Sequence, residues 1–99
     1  MPYEVIFPSE RVERLFEKAL EKIPSDYQDA IAEAIHGLSL NPWPAGKRHK
    51  KLKGLVAVSQ FLAQYRLRVG PYRILYDVDT PRKKVILLKL VKRDEHTYD

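Results

Sequence analysis

The sequence predicts an α+β fold in the order β-α-α-β-β-β, with a helical hairpin packed on one face of a small, mainly antiparallel sheet. Three observations carry this expectation. Two adjacent segments each hold one apolar stripe at helical spacing, at residues 12–23 and 27–38. Three later segments alternate at a period of two or run continuously apolar, which is the signature of strands. The 99 residues allow one core and one domain, spanning residues 1–99.

Each element has a local reason. Tyr3-Glu4-Val5-Ile6-Phe7 reads as a first strand, ended by Pro8. Ser9 is a good helix N-cap, and Glu10 and Glu13 suit the positive end of the helix dipole. Val12, Leu15, Phe16, Ala19, Leu20 and Ile23 form that helix's stripe, which Pro24 stops. Ser25 with Gln28 forms a capping box for a second helix, whose apolar face is Tyr27, Ala30, Ile31, Ala34, Ile35 and Leu38. The segment 41–46 holds two prolines and a glycine and is irregular, with Trp43 expected to plug against the helices. Lys47 to Lys53 reads as a basic surface, and residues 55–63 lead into a hairpin. Lys83 to Val91 is the last strand; its unbroken apolar run predicts an interior position.

The hairpin is the informative stretch. In Tyr65-Arg66-Leu67-Arg68-Val69 and Tyr72-Arg73-Ile74-Leu75-Tyr76, joined by Gly70-Pro71, a two-residue loop places Val69 opposite Tyr72. Arg68 then stands directly opposite Arg73, and like charges so placed destabilise a sheet. The helices claim the face of Tyr65, Leu67, Val69, Ile74 and Tyr76, leaving Arg66, Arg68 and Arg73 on an open, concave one. A slip of one residue at the turn would reverse Arg73.

Charge is distributed unevenly. Residues 1–43 carry four Lys/Arg and eight Asp/Glu, a net of −4; residues 44–99 carry fourteen and five, a net of +9. Such asymmetry points to a polyanionic partner. Lys47, Arg48, Lys50, Lys51 and Lys53 are candidates for phosphate contacts without sequence preference. With no cysteine, disulfides and thiol chemistry are excluded. No stretch is long and apolar enough to span a bilayer, and the first residues lack the pattern of a signal peptide, so a cytoplasmic protein without a membrane partner is expected. His36 has no companions at metal-ligand spacing, and His49 reads as a neighbour of the basic run rather than a catalyst.

Together these residues resemble the RelE/ParE superfamily of toxins from bacterial type II toxin–antitoxin systems. Asn41-Pro42 followed by Lys51-Leu52-Lys53-Gly54 is similar to that family's segment after the helices. The stretch from Tyr65 to Tyr76 is similar to its central hairpin, and Lys92-Arg93 followed by Tyr98 to its C-terminal element.

The resemblance implies a RelE-like fold and a ribosome-dependent endoribonuclease that cuts messenger RNA in the A site, by attack of a 2′-hydroxyl on the adjacent phosphate. It implies no metal or cofactor, a cognate antitoxin as partner, and contact with operator DNA only through that antitoxin. Its catalytic positions fall on Arg66, Arg68, Arg73, Arg93 and Tyr98. Nuclease members often carry lysine at the first two positions. An arginine does not give up its proton, so Arg66 and Arg68 suit phosphate clamping, and His96 is the candidate proton acceptor. Tyr98 is placed to stack on a base or share the proton transfer. The alternative is a ParE-like inhibitor of DNA gyrase with the same fold and no nuclease activity.

Overall fold

The computed structural model describes residues 2–46 and 49–92; of the strand residues Lys53 and Leu55, only the backbone is considered. Arg93, His96, Tyr98, Lys47 and Arg48 lie outside the described residues. The elements are β1 (Glu4–Ile6), α1 (Glu10–Glu21), α2 (Ser25–Leu40), β2 (His49–Val58), β3 (Phe61–Val69), β4 (Tyr72–Asp79) and β5 (Lys84–Lys92). They form a five-stranded sheet of order β1-β5-β4-β3-β2. Only β1 with β5 is parallel, so the sheet is mainly antiparallel, with the two helices on one face as expected.

The sheet has one strand beyond the expected order. The basic run itself becomes β2, the outermost strand, pairing His49 with Leu67, Lys50 with Arg66 and Lys51 with Tyr65. Lysines on an edge strand keep their charges in water and discourage pairing with other chains, so charge there does not argue against a strand. The register shifts between Lys51 and Val56, after which Val56 faces Ala63 and Val58 faces Phe61.

Ser9 caps α1 as expected: its Oγ accepts from the Val12 amide at 3.2 Å. The capping box at Ser25 does not form. Pro24 holds the N-cap position of α2 without a side-chain bond. Gln28 instead donates to the carbonyl oxygens of Leu20 and Ile23, both at 2.9 Å. Leu20 lies in the last turn of α1 and Ile23 just beyond its cap, so Gln28 makes two bonds to the exit of the first helix where the box would offer it one. The same side chain locks the two helices together.

The main core lies between helices and sheet and contains Phe16, Ile31, Leu38, Leu67, Ile74, Tyr76, Val85 and Leu87. A second apolar cluster, not expected from sequence, occupies part of the other face: Leu52, Ala63, Leu75 and Leu88, flanked by Val56, Val58, Phe61 and Ile86. β5 is interior, as its apolar run predicts, between β1 and β4. Trp43 meets Tyr3 edge-on with ring centroids 6.0 Å apart and stays 39% exposed, so it is a half-open plug.

Candidate nucleic-acid interface

The hairpin joins β3 to β4 in the register that sets the site: Val69 faces Tyr72, Arg68 faces Arg73, and Arg66 faces Leu75. Gly70 makes the turn at φ 56°, a left-handed conformation that side chains disfavour. A Cβ there would also come within 2.6 Å of the Tyr27 ring, which meets Tyr72 edge-on.

Residues directly opposed across antiparallel strands share a face. One row therefore runs Lys50–Arg66–Leu75–Lys89 and the next Arg68–Arg73–Val91. Five cations stand on two neighbouring rows, away from the helices. Lys89 is a member that the sequence reading missed. Its apolar neighbours Leu88 and Leu90 hide it, and its place depends on the register shift between Leu75 and Tyr76 against β5.

The expected open face is only partly open. Arg66 is 5% exposed and Arg73 7%. Their cross-strand neighbours Leu75 and Val91 are themselves buried, and arginine stems cover apolar surface well. Buried guanidiniums are fixed in position, and removal from water strengthens their hold on an anion. Lys51 pairs with Tyr65 in the other alternation and is exposed. Of the basic run, Lys50 is thus the residue that the described structure brings beside the arginines.

Behind this face lies an aromatic stack. His49 lies on Tyr65 with centroids 5.6 Å apart and rings 23° from parallel, and Tyr76 completes the group. The buried Tyr76 hydroxyl donates to the Pro42 carbonyl at 2.6 Å, tying the irregular segment to the sheet. Burial, with Tyr65 beside it, pushes the Tyr76 phenol well above its usual range, so it stays a neutral donor. His49 stands opposite Leu67, on the helix side of β2.

Burial, and then the Arg66 charge, hold His49 below its ordinary pKa. The unfolded chain therefore binds a proton that the folded one resists. Stability is unaffected above about pH 6.5 and falls as pH drops below it. In thermal melts from pH 7.5 to 5.0, His49→Phe should keep the ring stack and lose this component of the acid destabilisation. Melting curves that shift equally with pH in both proteins would contradict it.

Comparison with known proteins adds the following. Residues 10–96 match the family model described as ParE toxin of the type II toxin–antitoxin system parDE. The archaeal RelE–RelB complex of Pyrococcus horikoshii OT3 aligns with TM-score 0.73 and 29% identity, covering 97% of this chain and 100% of that one. The toxin–antitoxin complex RelBE2 of Mycobacterium tuberculosis gives 0.67 and 26%, over 94% and 100%. A substituted E. coli RelE toxin in the free state gives 0.60 and 21%, over 95% and 86%, a likeness of fold. No curated protein matches. The family model carries the name of one branch and the similar structures the name of the other.

Proposed function

The chain belongs to the ParE toxin family of type II toxin–antitoxin systems, within the RelE/ParE superfamily, and from that premise we propose that it is a ribosome-dependent endoribonuclease. The observation that carries the reading is the Arg68–Arg73 pair with Arg66 and Lys50 beside it, on the sheet face away from the helices. A gyrase inhibitor acting through binding alone has no evident use for two nearly buried guanidiniums on adjoining rows. A phosphoryl transfer has one: the crowded negative charge of the transition state.

In the proposed reaction the 2′-oxygen of one nucleotide bonds to the adjacent phosphorus, and the bond from phosphorus to the 5′-oxygen breaks. Arg66, Arg68, Arg73 and Arg93 hold the phosphate. His96 takes the 2′-hydroxyl proton, Tyr98 stacks on a base, and solvent protonates the leaving oxygen. Lys47, Arg48, Lys50, Lys51 and Lys53 follow the RNA backbone. The cytoplasm is the site of action, and the partner is a cognate antitoxin, as in the RelE–RelB and RelBE2 complexes.

The test is a translation reaction with purified ribosomes, read by primer extension. Cuts within the A-site codon are expected. No cuts, together with loss of gyrase supercoiling, would establish the gyrase reading instead. That second reading has one observation in its favour, the ParE name of the matching family model. For His96→Ala, the rise of cleavage rate with pH should flatten; an unchanged profile would assign the proton to another group.

A further inference from the structure

The outer edge of β5 is covered over only part of its length. β1 pairs with it from Lys84 to Ile86, and among the described residues no strand lies beside it beyond that point. From Leu87 to Lys92 this edge runs about 20 Å at the usual strand rise. It lies along a channel. One wall is α1, which presents Arg11, Leu15, Ala19 and Lys22 at helical spacing. Toward Leu88 the other wall is the tip of the β2–β3 hairpin, Ala57 to Ser59. The channel is made of two hollows, of about 470 and about 330 Å³, that share Ala19, Lys89 and Leu90.

We propose that this channel binds an extended segment of a protein partner, one that alternates apolar and acidic residues and adds to the sheet beside β5. A strand edge without a neighbour is a template for main-chain pairing, and the walls beside it select the side chains. Leu15 belongs to the apolar stripe of α1 yet stays 54% exposed on the channel wall, where a covering segment buries it. The charge is one-sided. Arg11, Lys22, Lys89 and Lys92 line the channel, and among the described residues no acidic one does. Glu10, Glu13, Glu17 and Glu21 lie elsewhere on the same helix and are exposed. They repel a long polyanion such as RNA, whereas a short segment brings its few carboxylates to the cations alone. The strand at the opposite edge of the sheet, β2, carries Lys50 and Lys51, so the channel repels that strand of a second copy. The proposal holds whether or not the chain cuts RNA.

The probe is an acetylated, amidated peptide that alternates glutamate and valine, about seven residues long to match the edge. In NMR titrations of the full chain it should shift the Leu88, Leu90 and Lys92 amides and leave those of Lys50 and Lys51 in place. A peptide alternating lysine and valine should not bind there. Arg11→Glu combined with Lys22→Glu turns two attractions into repulsions and should weaken the acidic peptide by about tenfold or more. Both positions are exposed on the helix, so the fold is kept.

No shifts at the β5 amides overturn the proposal, and so does equal binding of the two peptides, which would leave the cations without a role. An oligouridylate that shifts the same amides more strongly than the acidic peptide would make the channel an RNA path instead. Shifts at those amides that grow with protein concentration alone would assign it to a second copy of the chain. None of these outcomes bears on cleavage of messenger RNA, so the nuclease reading stands or falls separately.

Discussion

Arg73→Ala should lower the rate of messenger cleavage by about 10²–10³-fold while leaving sedimentation with ribosomes close to that of the wild type. The magnitude is that of removing one preorganised donor from a site of developing negative charge. Arg73 is the strongest choice for three reasons. It faces Arg68 across the hairpin, it sits on β4 at the middle of the sheet, and it is only 7% exposed. Ribosome binding draws on many exposed lysines and arginines, so one buried charge contributes little to it. Equal losses of binding and cleavage would instead make Arg73 an ordinary phosphate contact. A thermal melt of the same variant must show a folded protein for either outcome to count.

Ile74→Ala should act in the opposite way, costing about 2–5 kcal/mol of stability and lowering Tm by at least about 8 °C. Ile74 is fully buried in the main core, opposite Leu67 and Leu90. Truncation leaves a cavity between helices and sheet that a close-packed core cannot fill. Its side chain points away from the arginines, so protein that remains folded at low temperature should cut at near the wild-type rate. Denaturant melts and low-temperature cleavage separate the two quantities. A large loss of activity with unchanged stability would mean that the two faces of β4 are not independent.

These neighbours in sequence show what was legible and why. The hairpin could be read because Gly70-Pro71 fixes its loop, and Leu67, Val69, Ile74 and Tyr76 alternate cleanly around it. The opposed pair of arginines follows from that register alone. β2 was harder to read because Lys50 and Lys51 disguise its period of two; on an edge strand those charges cost nothing. The cluster of Leu52, Ala63, Leu75 and Leu88 draws one residue from each of four strands, and no local pattern announces it. The burial of Arg66 and Arg73 depends on the same long-range arrangement. At Gln28 the local motif was present, but the Leu20 and Ile23 carbonyls at the exit of α1 outcompeted it.

The parallel pairing of β1 with β5 has a consequence for how the molecule is made. Glu4 meets Lys84 in that ladder, with the ammonium 2.8 Å from the carboxylate, at a sequence separation of 80. Closing so long a loop is slow and cannot begin before the last strand exists. The β3–β4 hairpin needs only its own local contacts and can form much earlier. During synthesis the arginine pair is therefore assembled before the first strand has anything to join. The finished sheet must wait until β5 has been made, so a nascent chain that stops short of that strand is not yet a complete poison.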